Sequence, residues 1–257
     1  TILVVDDNPD MTDFLKRTFE GYFKRIIIAG DGVEALQLVR SHVPDIIVSD
    51  VMMPRMNGYK LCKTIKEDIN ISHIPVILLT ARDDRQSQIS GYKNGADGYL
   101  SKPFEVEMLM ELIRNRLKNR EYTKKRYLNA GLIPTPEEST ISLTDETFLI
   151  KLNSIIQENI DNTNLGIQFI CQEVGLGRSS LYNKLKALTG MGANEYISKL
   201  RIEKAITLIS GTDMPFSEIA EKTGFTTPSY FSTAFKQYTG ETPSQYKERK
   251  KKGLADK

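Results

Sequence analysis

The chain predicts two domains of different class, an α/β domain on a parallel sheet followed by an all-α domain made from a duplicated unit. Three observations point there. In the first 103 residues, short apolar runs of β type each lead into polar residues: Ile2-Leu3-Val4-Val5 into Asp6-Asp7, Ile46-Ile47-Val48 into Asp50, Val76-Ile77-Leu78-Leu79 into Thr80, and Tyr99-Leu100 into Lys102-Pro103. In the second half a pattern recurs at an offset of 50, with Ser179, Leu181, Leu185, Lys186 and Thr189-Gly190 mapping onto Ser229, Phe231, Phe235, Lys236 and Thr239-Gly240. Between the two blocks, Gly131, Pro134 and Pro136 break the periodic pattern, and residues 121–143 read as a linker.

A parallel sheet gathers the strand-end residues at its carboxyl edge, where open α/β sheets place their chemistry. Three carboxylates at one edge repel one another, and a cation or a proton relieves them. Magnesium suits the set, because it is a hard ion that takes oxygen ligands and needs only one or two carboxylates beside a phosphate oxygen. Asp7 and Asp50 are candidates to ligate it. Lys102 offers a compact positive charge to one phosphoryl oxygen and the Thr80 hydroxyl a hydrogen bond to another, which leaves Asp50 as the nucleophile that forms an aspartyl-phosphate. Singly, each residue has a plainer reading. A strand-end Asp is ordinarily a helix cap, and a Thr or Tyr in a strand is ordinarily packing. Their joint occurrence at successive strand ends favours the chemical one.

The motifs V-V-D-D-N at 4–8, S-D-V-M-M-P-R-M-N-G at 49–58, L-L-T-A at 78–81 and Y-L-S-K-P-F at 99–104 closely resemble the receiver domain of two-component response regulators. The resemblance covers residues 1–120. It implies a doubly wound, five-stranded, flavodoxin-like parallel sheet, with Asp50 as phosphoacceptor. Magnesium would be held by Asp6, Asp7, Asp50 and the backbone carbonyl of Met52, the phosphoryl group by Thr80 and Lys102. The resemblance also makes Tyr99 the switch aromatic and Lys102-Pro103 a cis peptide. A haloacid-dehalogenase-type phosphohydrolase shares the Asp nucleophile but wants a second Asp two residues on, where this chain has Met52.

The second domain begins with a helix near Thr144-Asp145 that carries Phe148, Leu149, Leu152, Ile155 and Ile156 at helical spacing. In each repeat a helix (167–174; 216–222) passes through a Gly-bearing turn into a second helix (178–189; 228–239), which is helix-turn-helix geometry. L-Y-N-K-L-K-A-L-T-G at 181–190, A-N-E-Y-I-S-K-L-R-I-E-K-A at 193–205, I-A-E-K-T-G-F at 219–225 and Y-F-S-T-A-F-K-Q-Y-T-G-E-T-P-S-Q-Y at 230–246 closely resemble the DNA-binding domain of the AraC/XylS activators. The resemblance implies that the helix from 193 bridges two subdomains, setting their recognition helices in successive major-groove turns about 34 Å apart. With Leu181, Leu185 and Leu188 inward in one unit, and Phe231, Phe235 and Tyr238 in the other, two sets face DNA: Ser179, Tyr182, Asn183 and Lys186, then Ser229, Ser232, Thr233 and Lys236. Asn183 suits an adenine edge, and the two lysines suit phosphates.

Charge agrees with this division. Residues 1–120 carry 17 Lys+Arg against 17 Asp+Glu, whereas 162–257 carry 14 against 9. The basic run Lys247, Arg249, Lys250, Lys251, Lys252 reads as a solvated tail that adds nonspecific phosphate attraction. Hydrophobic content of 40% and charged content of 26% fit a globular protein. No apolar run reaches the roughly 20 residues of a membrane helix, and no signal peptide opens the chain, so the expected location is the cytoplasm. Cys62, Cys171, His42 and His73 have no metal-site spacing.

The expected function is phosphorylation-dependent transcription regulation: Asp50 takes a phosphoryl group from a histidine kinase, and two helix-turn-helix units bind double-stranded promoter DNA. The implied partners are that kinase, RNA polymerase and, on activation, a second copy of the chain. The receiver would promote its own phosphoryl transfer without being an enzyme in the usual sense. The chain starts at Thr1, inside its first strand, so an excerpt from a hybrid sensor is expected, with the kinase on the same polypeptide and this segment at the cytoplasmic end of a membrane-anchored protein. A regulator acting on a kinase in trans is the other arrangement. The rival class is a DNA-binding module whose receiver works without phosphoryl turnover.

Overall fold

A computed structural model describes residues 1–81, 95–130 and 142–255. It contains two compact units, one centred on Thr1–Arg126 and the other on Phe148–Lys257. In the first unit, β1 (Ile2–Val5), β2 (Ile26–Ala29), β3 (Ile46–Asp50), β4 (Val76–Ala81) and β5 (Gly98–Lys102) form one parallel sheet in the order β2-β1-β3-β4-β5. That is the flavodoxin-like doubly wound order, whose topological switch point lies between β1 and β3. The strand absent from the strand-end pattern is β2. It sits at the sheet edge, is only partly buried, and leads into Asp31, whose carboxylate caps the next helix.

The helices of this unit start where short polar side chains can satisfy free backbone N–H groups. Asn8 caps α1 (Pro9–Phe19), Asp31 caps α2 (Gly32–His42) and Asn57 caps α3 (Gly58–Glu67). The two sheet faces bury alternate strand residues. Leu3, Val5, Ile47, Val76 and Leu78 pack with Ala35, Val39, Leu61 and Ile65 of α2 and α3. Ile2, Val4, Val48, Ile77 and Leu79 pack with Leu15 and Phe19 of α1 and with Leu109 and Ile113 of α4 (Val106–Ala130). Helix α4 continues through residues 121–130, where the linker was expected to begin. The charged helical pattern of Glu121–Leu128 is its local signal. Residues 82–94 and the linker residues 131–141 lie outside the described residues.

The second unit contains α5 (Leu143–Glu158) from Phe148 onward, then α6 (Ile167–Val174), α7 (Arg178–Thr189), α8 (Ala193–Gly211), α9 (Phe216–Lys222), α10 (Pro228–Thr239) and α11 (Pro243–Ala255). The bounds of α6, α7, α9 and α10 coincide with those read from the repeat. Phe148, Leu149, Leu152, Ile155 and Ile156 of α5 are buried, as are Leu181, Leu185 and Leu188 of α7. Phe231 and Phe235 of α10 lie in the core with Ile202, Ala205, Ile219 and Tyr246. Each fully buried large apolar side chain contributes about 1.5–3 kcal/mol. Tyr238 departs from the expected inward stripe. It is 39% exposed, because its hydroxyl reaches out to donate to Glu203 Oε1 at 3.2 Å. Among the described residues, no helix is long and apolar enough to cross a membrane.

Candidate functional site

Sheet register builds the first site. Val5 pairs with Ser49 and Asp50 with Leu79, so Asp6, Asp50 and Thr80 leave three adjacent strand ends together. Asp6, Asp50 and Thr80 are buried and Asp7 is exposed. Lys102, at the end of β5, places Nζ 2.6 Å from Asp50 Oδ1 and 3.0 Å from Asp6 Oδ2, joining the two carboxylates. The second Asp50 oxygen accepts from the Met52 N–H at 3.1 Å, and Asp6 Oδ1 accepts from the Asn8 N–H at 2.9 Å. The Lys102-Pro103 peptide is cis.

The loop after β3 folds back closely enough for the Gly58 N–H to donate to the Val51 carbonyl at 3.0 Å. A Cβ on Gly58 would lie 2.2 Å from the Asp50 carbonyl oxygen, so only glycine lets α3 start here. Burial raises the Asp50 carboxyl above its ordinary range. Lys102 pulls it back, and the charge of Asp6 adds to the rise. Burial alone would lower the Lys102 ammonium, but the bonds to Asp50 and Asp6 outweigh it and the net shift is upward. Lys102 therefore stays charged, opposite a carboxylate made more basic than usual.

Two further observations bear on what this pocket takes. Thr80 Oγ1 is buried and, among the described residues, has no hydrogen-bond partner, a state that costs about 1–3 kcal/mol unless a ligand oxygen supplies one. Carboxylate oxygens of Asp6, Asp7 and Asp50 lie within 4.8 Å of one another, an all-oxygen donor set that fits a hard divalent cation. The backbone of Met52 is at the same place through its N–H bond to Asp50. Tyr99, half-buried on β5, packs at the margin of the core formed by Ile47, Val76 and Leu78.

The repeat brings the second set of candidates onto two helix faces. On α7, Ser179, Tyr182 and Lys186 are exposed and Asn183 partly so; on α10, Ser229, Thr233 and Lys236 are exposed and Ser232 partly so. Ser232 Oγ donates to the Pro228 carbonyl at 3.0 Å and Thr233 Oγ1 to the Ser229 carbonyl at 3.1 Å, so both protons are engaged within the helix. Tyr230, absent from the sequence-derived set, is 54% exposed at the start of α10 with its ring edge-on to Phe225 at 5.8 Å. Its neighbour Phe231 is buried, and that adjacency hid it. Lys184 of α7 is fully buried with Nζ 5.1 Å from the Phe148 ring centroid, which takes a basic residue off the outer surface. In the basic run, Arg249 pairs with Glu241 at 2.7 Å and Lys247 with Asp213 at 3.3 Å.

Comparison with known proteins agrees with this geometry. Residues 2–114 match the model of the response regulator receiver domain, and residues 170–249 match a helix-turn-helix domain. Over 249 residues the chain is 41% identical to histidine kinase P4 of Formosa agariphila, a match that spans 97% of this chain but 18% of that protein. It is 41% identical over 118 residues to the heme response regulator HssR of Staphylococcus saprophyticus, covering 46% of this chain and 51% of that one. It is 36% identical over 162 residues to the response regulator MprA of a Mycobacterium sp. (strain KMS), covering 58% and 69% respectively. The chain belongs to the response regulators, with a receiver domain followed by an AraC-type helix-turn-helix domain.

Proposed function

We propose that this two-component regulator is switched by phosphorylation of Asp50 and reads out the switch as binding to promoter DNA. The observation that carries the reading is the joint placement of Lys102 between Asp50 and Asp6 and, at the next strand end, of a buried Thr80 hydroxyl without a hydrogen-bond partner among the described residues. An Asp50 oxygen bonds to phosphorus as the P–N bond of a kinase phosphohistidine breaks. The electron pair leaves with the imidazole nitrogen, which takes up a proton. Lys102 and Thr80 hold the transferred oxygens. Asp6, Asp7, Asp50 and the Met52 carbonyl are the residues that would hold magnesium, which when bound neutralises charge on the carboxylates and the phosphoryl group.

Thr80 then moves toward the phosphoryl group, Tyr99 turns inward, and the surface near β5 and α4 changes so that two receivers pair. Ser179, Tyr182, Asn183 and Lys186 face one DNA segment, and Ser229, Ser232, Thr233 and Lys236 face the next. RNA polymerase is the downstream partner. The domains follow as receiver 1–120, connection 121–143, DNA-binding domain 144–250 and basic tail 251–257, although α4 and α11 carry helix into the connection and the tail. The match of nearly the whole chain to 18% of a Formosa protein named as a histidine kinase supports a hybrid setting, with the kinase on the same polypeptide. The test is phosphoryl uptake from phosphoramidate with Mg²⁺, read by intact mass. The parent chain gains one phosphoryl group and Asp50→Asn gains none; uptake by the variant would move the acceptor elsewhere.

A further inference from the structure

We infer, building on the DNA-binding reading above, that Arg201 is the positioning residue that fixes the mutual register of the two helix-turn-helix units, and so the spacing of DNA elements the chain accepts. Arg201 lies on the bridging helix α8 and is 9% exposed. Its Nε donates to the Ile160 carbonyl at 3.2 Å and its Nη2 to the Asn162 carbonyl at 2.6 Å, both in the loop that leads from α5 into the first unit. Those carbonyls lie just past the end of α5, and that of Asn162 also accepts from the Leu165 N–H at 3.0 Å. The guanidinium carbon lies 5.9 Å from the ring centroid of Phe225, in the turn of the second unit. One side chain thus binds the entry to the first unit and the turn of the second.

The second unit's backbone is pressed into the same joint. Gly224 has φ +72, and a Cβ there would lie 2.3 Å from the Ile160 oxygen and 2.7 Å from Arg201 Nη2. Glycine supplies both the left-handed backbone and the close approach. From Phe225 the contact passes into the recognition helix through rings 5.4 Å apart at Phe225–Phe231 and 5.7 Å apart at Phe231–Phe235, and on to α11 at 5.6 Å through Tyr246. A tilt at Arg201 therefore moves α10 as a body.

Charge argues for positioning over simple stability. Among the described residues no carboxylate pairs with Arg201, and its charge is met by neutral carbonyls and a ring. Buried ionic groups specify one arrangement in some proteins, and that is the role inferred for Arg201. With recognition helices about 34 Å apart and the joint between them, the arm to each is about 17 Å, so a rotation of about 11° at the joint shifts one of them by about 3.4 Å, one base-pair step.

Arg201→Lys tests this, because lysine keeps the charge and loses the planar fork that spans two carbonyls. A duplex enriched from a random-sequence library on the full unmodified chain is remade with the interval between its two contacted elements changed by one base pair, and also with a single element. Arg201→Lys should bind the enriched duplex about tenfold more weakly yet hold the single-element duplex within about twofold, since only the second element's contribution is lost. Its penalty for a one-base-pair change should fall well below the parent's. Equal weakening on both duplexes, or an unchanged interval penalty, overturns the inference. Should Arg201→Lys fail to fold, Phe225→Leu, which removes the ring and leaves both hydrogen bonds, is titrated on the same duplexes, where the same losses are expected and the same two results overturn the inference. Enrichment of no duplex by the parent overturns the DNA-binding reading and this inference with it, whereas enrichment followed by an unchanged interval penalty overturns the inference alone.

Discussion

At the scale of single residues, Lys102 offsets the burial of two acids. Removing it leaves Asp50 and Asp6 facing each other with their shared donor gone. Lys102→Ala should lower unfolding stability at pH 7 by about 1.5–3 kcal/mol, the range for hydrogen bonds to charged groups. The pH dependence has a definite sign. Asp50 already has a folded-state pKa above its ordinary 3.8, so its ionisation opposes folding as pH rises through that folded value. Without Lys102 the pKa rises further, and the variant's deficit should shrink as pH falls toward 3.8. Denaturant melts across pH 4 to 7 check this, and a deficit that grows on acidification would contradict it. Gly58→Ala should cost about 1–3 kcal/mol, typical of an overpacked site, and should reduce phosphoryl uptake by displacing the Asp50 backbone. The identities of the pocket residues were legible in the sequence because each ends an apolar run. What the sequence did not contain is that Lys102 serves Asp6 as well as Asp50, or that the Thr80 hydroxyl has no partner among the described residues, since both depend on neighbouring strands brought into register from far along the chain.

At the scale of elements, each recognition helix has separable faces. Leu185 and Lys186 are neighbours on α7, one fully buried and one exposed. Leu185→Ala should cost about 2–5 kcal/mol in thermal or denaturant unfolding, as buried Leu truncations do. Lys186→Ala should stay within about 0.5 kcal/mol of the parent in stability. Its mark should instead be on DNA affinity, with the salt dependence of binding reduced by about one unit of slope. A Lys186→Ala chain with an unchanged salt slope would remove that lysine from the phosphate contacts. The helices 167–174, 178–189, 216–222 and 228–239 were legible because two copies of one pattern locate the same boundaries twice. Long amphipathic side chains were harder to place. Lys184 and Arg201 are buried, and Tyr238 swings out to Glu203, because each finds a partner outside its own helix that no local periodicity encodes. Helix α4 likewise outran its expected end, since charged residues 121–128 are compatible with both a solvated helix and a linker.

At the scale of the whole molecule, the proposed switch requires phosphate on Asp50 to alter DNA binding by a different domain. Pairing of two chains through their receivers meets that requirement without any change inside the helix-turn-helix units. A paired chain presents two DNA-binding domains at once, so the second engages at an effective concentration set by its tether, and avidity can rise by about 10²–10⁴ with no new contact. Sedimentation of the 29.1 kDa chain with Mg²⁺, with and without beryllofluoride as a phosphoryl mimic, should show a shift from monomer to dimer on activation. Affinity for a promoter duplex with two sites should rise with it, while affinity for a duplex with one site should change little. Asp50→Asn should stay monomeric under both conditions. A mass that stays unchanged at every concentration tested would eliminate pairing. If two-site affinity still rose under that condition, the signal would have to pass within a single chain, from the receiver to its own DNA-binding domain.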